Sequence, residues 1–379
     1  MRTFGQRVVR SGGTFMRFRR TLVDMRSDTV TKPCDGMRNA MRSARVGDDV
    51  FGDDPTVTEL EDAVAGILGK PRGLFVPSGT MSNLIAIAAH TRRGDEIILG
   101  DRSHIHLYEA GGVSVLMSVT QRTVPTRQDG TLDVSDISDA IRVDDPHYPI
   151  SSVVALENTH NACGGRVLPQ QYVDEVADFC RDRRLRLHLD GARVFNASEA
   201  SGVSLDRMVR GFDSVSVCLS KGLGAPVGSV LVGEDAFVAK ARRLRKMVGG
   251  GMRQAGVLCA AGLYALEHNV RRLADDHERA QRFASALSDM NEIDVDLSAV
   301  ESNLIYFNVR KESGVDPIAF GDEMKRRGVL LVGGYARGQG FRAVTHRGIG
   351  DDELKIAIEA AGLSLLAARL PGADRQHAN

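Results

Sequence analysis

No excess of charge of either sign marks this chain: its 379 residues carry 49 Lys plus Arg against 49 Asp plus Glu. That balance excludes the broad basic field that would make nucleic acid a main partner, and leaves a small molecule as the expected one. No uncharged apolar run approaches the ~18 residues that a membrane-spanning helix needs, so a soluble protein is expected. Cysteine is sparse: Cys34, Cys163, Cys180, Cys218 and Cys259 are scattered without a CxxC pair. Their odd number suits reduced thiols filling a core in an intracellular compartment. Neither a GxGxxG fingerprint nor a P-loop is present, which argues against a dinucleotide-binding oxidoreductase. Internal repeats and low-complexity linkers are also missing, so the parts of the chain are expected to share an interface rather than a flexible tether.

What is present falls into three parts. Residues 1–20, "MRTFGQRVVRSGGTFMRFRR", hold six arginines and no acid. Interspersed with Ser, Thr and Gly, this composition suits a mitochondrial transit peptide. The alternative is an untidy terminus on a cytoplasmic protein that begins near Met25. Residues 1–24 are therefore set apart as an extension, residues 25–288 as a large domain, and residues 289–379 as a smaller α+β domain.

Within the large part, helical and strand patterns alternate. "PTVTELEDAVAGILG" places Thr56 and Glu59 at capping-box spacing, Leu60, Val64, Ile67 and Leu68 on one face, and Gly69 as a stop, which predicts a helix. The runs "GLFVP", "EIILG", "SSVVALE", "RLRLHLD", "DSVSVCL" and "SVLVG" are apolar enough to be strands covered on both faces. A mostly parallel sheet sandwiched by helices is the expected α/β architecture. Residues 234–288 predict long helices broken at "VGGGM". "SNLIYFNV", "DPIAFGDEMKRRG", "VLLVGG", "FRAVTH" and "DDELKIAIEAAGLSLLAARL" supply the strands and helices of the smaller domain.

Ligands in such sheets gather at the carboxyl ends of strands, and four of these ends carry unusual groups. In "FVPSGTMSN" the small residues Ser78, Gly79 and Thr80 open a helix whose free N–H groups would hold a phosphate. In "LHLDGARVFNA", Asp190 ends a strand with Arg193 three residues on: a capped, paired carboxylate, or one that keeps a ligand's ring nitrogen protonated. In "VCLSKGLGAPVG", Lys221 follows an apolar run and precedes small residues. It reads either as a snorkelling surface lysine or as a desolvated amine able to form a Schiff base. In "DRSHIHLYEAGG", one of His104 and His106 is expected to face the site and stack on a planar ligand. A metal is not expected, because no matching Cys or carboxylate pattern accompanies the pair. Phosphate turn, aspartate, lysine and flat ring together are what pyridoxal 5'-phosphate requires.

"MRSDTVTKP", "VGDDVFGDDPTVTELE", "PSGTMSNLIA", "ENTHN", "LHLDGARVFNA", "LSKGLGAPVGS" and "RKMVGGGMRQAG" resemble, in this order, the low-specificity L-threonine aldolases, from about Met25 to about residue 365. The resemblance implies the aspartate-aminotransferase-like fold type I, with a seven-stranded, mostly parallel sheet, and pyridoxal phosphate as cofactor. It implies retro-aldol cleavage of L-threonine or L-allo-threonine to glycine and acetaldehyde, with a β-eliminating lyase as the rival activity. Lys221 would bind the cofactor aldehyde, Asp190 the pyridine nitrogen, Gly79 and Thr80 the phosphate, and His104 would stack on the ring. Arg253 would reach the phosphate from a neighbouring subunit of a homotetramer. Ser27, Arg193 and Arg342 would hold the substrate carboxylate, and His147 would lie near the substrate hydroxyl. His104, His147 and an ordered water remain alternatives for the base. Two departures stand out: residues 1–24 lie outside the family core, and "NACGGRVLP" is longer than in many bacterial members.

Overall fold

The computed structural model describes residues 22–335, 338 and 340–369. The arginine-rich stretch read as a transit peptide lies outside the described residues. The described chain opens with β1 (Val23–Asp24), which pairs in parallel with Val329–Leu330. Thus residues 22–24, set apart with the extension by composition, join the folded body.

The main sheet comprises β2 (Arg72–Val76), β3 (Glu96–Gly100), β4 (Thr120–Val124), β5 (Ser151–Glu157), β6 (Arg186–Asp190), β7 (Ser214–Cys218) and β8 (Ser229–Gly233). Its order is β2-β8-β7-β6-β5-β3-β4, and only β8 runs against its neighbours. The period-2 pleat explains why the strands are apolar throughout. Phe75, Ile98, Val154, Leu156, Val230 and Val232 face one layer, packed with Leu60, Val64 and Val176. Their neighbours Leu74, Val76 and Leu231 face the other layer with Ile85 and Val238, and Ile97, Leu99 and Val153 do so with Ile87 and Val113. Each such side chain removed from water contributes about 1.5–3 kcal/mol, so a polar residue on either face of an inner strand is costly. The edge strand β4 escapes that demand and is largely polar.

The helix expected after Thr56 spans Pro55–Ile67, but its cap is Asp54, whose carboxylate accepts from the Thr56 and Val57 N–H groups. The Thr56 hydroxyl instead donates to Arg45 O. Asp54 also holds the Gly256 N–H at 2.9 Å, which ties this helix to the helix Gly256–His268. Gly69 ends the segment at φ +62°, while Ile67 is exposed rather than packed.

The C-terminal part builds β9 (Ile293–Val295), β10 (Leu304–Val309), β11 (Val329–Leu330), β12 (Val332–Tyr335) and β13 (Gly340–Val344). Four of these form an antiparallel sheet in the order β12-β13-β10-β9, while β11 pairs with β1. A second core forms on it from Val23, Met25, Phe283, Phe307, Phe320, Phe341 and Leu354. The helix Leu273–Ser288 therefore packs with this second core. All five cysteines are free; four are buried core residues, and Cys34 is half-buried. Among the described residues no helix is long and apolar enough to cross a membrane.

Candidate active site

Because β2, β3, β5, β6 and β7 run in one direction, their carboxyl ends open onto the same edge of the sheet. A cavity of about 340 Å³ lies there, and Gly79, Thr80, His104, Asp190 and Lys221 all line it.

Gly79 begins the helix Gly79–His90, capped by the Ser78 hydroxyl accepting from Met81 N–H. A Cβ at Gly79 would stand 2.7 Å from Cys218 Sγ, so only glycine lets this turn approach β7. The first N–H groups of the helix are left for an anion. Asp190, 3% exposed, accepts from Ala192 N–H and from Asn83 Nδ2. Lys221 is half-buried, and among the described residues its Nζ has no hydrogen-bond or ion-pair partner; its carbonyl receives the Thr31 hydroxyl.

His104 starts a short turn after β3. Its N–H donates to Glu157 Oε2 at 2.7 Å, and its Nδ1 meets Glu109 Oε1 at 2.9 Å. Burial works to lower its pKa, but the Glu109 bond and the charges of Asp190, Glu157 and Glu109 outweigh it and hold the imidazole above its ordinary range. His106 points elsewhere, to Gln121 at 3.0 Å, so one histidine of the pair faces the cavity. The ligating atoms of His104, Glu109 and Asp190 lie within 4.8 Å of one another. Hydrogen bonds already run between His104 and Glu109 and, through Asn83, between Glu109 and Asp190.

The residues expected to hold the substrate carboxylate have other partners as well. Arg193 Nε and Nη2 each donate to Asp28 at 2.8 Å, a buried bidentate pair. Arg342, on β13, donates to Asn161 Oδ1 and Arg26 O, and its buried Nε has no hydrogen-bond partner among the described residues. Ser27 caps a short 3-10 turn through Thr29 N–H. His147 and Arg253 are not brought to the cavity within one chain. His147 is 87% exposed and bonded to Asp145, while Arg253 pairs with Asp48 on the surface.

Sequence reasoning missed Asn83, Glu109, Asp28 and Glu157. All four stand inside quoted motifs: Asn83 in "FVPSGTMSN", Glu109 in "DRSHIHLYEAGG", Asp28 in "MRSDTVTKP" and Glu157 in "ENTHN". A buried acid five residues after a histidine has no periodic signature, so only the fold shows the pairing.

The cavity's donor set fits pyridoxal phosphate: an amine without a partner among the described residues for the aldehyde, an acid for the ring nitrogen, and a helix start at Gly79 and Thr80 whose Ser78 cap serves only Met81 N–H, for the phosphate. Fold and cavity thus define a pyridoxal-phosphate enzyme. The sequence pattern of the Beta-eliminating lyase family matches residues 24–310. The chain is 50% identical over 342 residues to the "Probable low-specificity L-threonine aldolase 2" of Arabidopsis thaliana, covering 89% of this chain and 95% of that one. It is 44% identical over 333 residues to the "Low specificity L-threonine aldolase" of Escherichia coli (strain K12), covering 88% and 96%. The fold matches the solved Leishmania major threonine aldolase with a TM-score of 0.77 at 21% identity, over 90% of this chain and 99% of that one. The chain belongs to the low-specificity L-threonine aldolase family.

Proposed function

We propose that the chain cleaves L-threonine and L-allo-threonine between Cα and Cβ, giving glycine and acetaldehyde by a retro-aldol reaction. The observation that carries this reading is the meeting of Lys221, Asp190, His104 and the Gly79 helix start around one cavity, in a chain so similar to named threonine aldolases. Bound pyridoxal phosphate supplies an electron sink for the pair released when the bond breaks.

The chain's own groups do the rest. Lys221 Nζ would hold the cofactor through its aldehyde. Asp190 would set a negative charge against the ring nitrogen, and the N–H groups at Gly79 and Thr80 would hold the phosphate. Ser27, Arg193 and Arg342 receive the substrate carboxylate. With Arg193 fixed by Asp28, Arg342 offers the spare donor, its Nε, which has no partner among the described residues. The β-hydroxyl proton needs an acceptor, and His104 is the imidazole at the cavity. His147 or water stands as the alternative.

A homotetramer, with Arg253 crossing into a neighbouring copy's site, completes the reading. It is supported by the 77% exposure of Phe51, in the segment whose Asp48 holds Arg253. Residues 1–20 support import into mitochondria, with a cytoplasmic location as the alternative; an intact mass from native tissue that retains Met1 would remove import.

Lys221→Ala should abolish both turnover and the yellow absorbance of the holoenzyme that is lost on borohydride reduction. A variant that still cleaved threonine near the wild-type rate would overturn the reading.

A further inference from the structure

Two buried polar residues of the cavity have no role in the reaction as described: Asn83, 1% exposed, and Glu109, 4% exposed. Asn83 Nδ2 donates to Asp190 Oδ2 at 2.9 Å and to Glu109 Oε1 at 2.8 Å. Its Oδ1 faces His188 Nε2 at 3.1 Å. Carboxylates only accept, so the amino end of the amide belongs on their side. With the amide so oriented, Oδ1 accepts from His188, whose pKa burial pushes down to about 4: a neutral ring with its hydrogen on Nε2 matches this bond. The His188 Nδ1 then receives the Ser214 hydroxyl at 2.8 Å.

The same Glu109 oxygen meets His104 Nδ1 at 2.9 Å. Since the carboxylate accepts, the imidazole carries a hydrogen on Nδ1, and Nε2 is the ring nitrogen left for the cavity. Glu157 holds the His104 backbone from the other side, so both the ring and the main chain are anchored. The charged groups facing the ring are Glu109 after the short turn, Asp190 at the end of β6 and Glu157 at the end of β5. The Tyr108 ring tilts against it at 5.6 Å, and Lys221 lines the same cavity.

We infer that Glu109 is a positioning residue: it fixes His104 with hydrogen on Nδ1 so that Nε2 exchanges the proton, and Asn83 ties this pair to Asp190. The reaction in which that proton moves is the one proposed above; the tie itself does not depend on it. A carboxylate this close to an imidazole raises the pH at which the ring loses its charge. Glu109 Oε2 is buried without a partner among the described residues, and burial with the Asp190 charge holds this carboxyl above its ordinary range, against the bonds of His104 and Asn83 that favour its charged form.

The test uses the holoenzyme as wild type, Glu109→Gln and Glu109→Asp. Diethyl pyrocarbonate acylates a neutral imidazole, and peptide mapping assigns the labelling rate of His104 at each pH. His106, bonded to Gln121, is the internal control. In the wild type the His104 midpoint should lie above the ~6.5 of an ordinary histidine. In Glu109→Gln it should fall by about one pH unit or more, since an opposite charge is lost, and the acid limb of kcat/KM should move with it. Glu109→Asp should restore part of the shift, and His106 should not respond. A wild-type midpoint at or below the ordinary value, or one that Glu109→Gln leaves in place, would overturn the assignment. Glu109→Asp keeps the assignment testable if Glu109→Gln fails to fold: its midpoint should move, because a shorter side chain loosens the bond to Nδ1, and a midpoint that stays in place would overturn the assignment. The labelling midpoints do not require turnover, so a wild-type enzyme inert toward threonine would refute the proposed reaction and leave the Glu109 result standing.

Discussion

Replacing Asp28 by Ala leaves Arg193 buried and charged with nothing opposite its fork. Asp28 is fully buried and accepts four bonds: Arg193 Nε and Nη2 at 2.8 Å, Asn303 Nδ2 at 3.2 Å and the Ser27 hydroxyl at 3.4 Å. Arg193 follows β6 and Asn303 precedes β10, so the carboxylate joins the two sheets at the site's edge. Removing one partner of such a pair costs about 3–5 kcal/mol, because the remaining charge stays desolvated. The pH dependence follows. Burial works to raise the Asp28 pKa, but the charge and bonds of Arg193, the charge of Lys221 and the Asn303 amide prevail and hold it well below the usual carboxylate range. A carboxyl depressed in the folded state contributes fully above its unfolded value of about 3.9, and its contribution is lost as pH falls from there toward the folded value. Urea unfolding followed by far-ultraviolet circular dichroism at saturating cofactor should therefore show a constant deficit from pH 5 to 8 that shrinks below about pH 4. KM for threonine should rise in the same variant as Arg193 loses its fixed orientation. A deficit under about 1 kcal/mol, the size of an exposed pair, would refute this reasoning.

Gly79→Ala places a methyl 2.7 Å from Cys218 Sγ. Cofactor affinity should fall about tenfold, or 1.4 kcal/mol, and Gly79→Ala with Cys218→Ala should recover most of it; a double variant as weak as the single one would rule out the clash. If Arg253 serves a neighbouring copy, inactive Lys221→Ala and Arg253→Ala proteins, mixed and re-assembled, should regain activity through hybrid sites. A mixture that stays inactive while exchanging subunits would remove the shared site.

Six strands were legible because a sheet covered on both faces demands unbroken apolar runs, as in "EIILG" and "SVLVG". The seventh, "TQRTV", was hidden because its side chains meet solvent, unlike those of the other edge strand, β2, which is buried from Gly73 to Val76. "VLLVGG" looked like one strand yet serves two partners, β11 pairing with β1 and β12 with β13, a division set by long-range pairing. At the site, Lys221, Asp190, His104 and the Gly79 turn were legible because each ends or follows a strand with a group that its surroundings do not explain. The support beneath them was not. Asp28 lies 165 residues from Arg193, and Asn83 lies 107 from Asp190; such contacts exist only once the sheet has brought its carboxyl ends together.

Proton NMR of the products formed from L-threonine and from L-allo-threonine by the purified holoenzyme tests the proposed activity most directly. Glycine and acetaldehyde in equal amounts, absent with Lys221→Ala, are expected. Ammonia with a 2-oxo acid would assign the site to β-elimination and contradict retro-aldol cleavage.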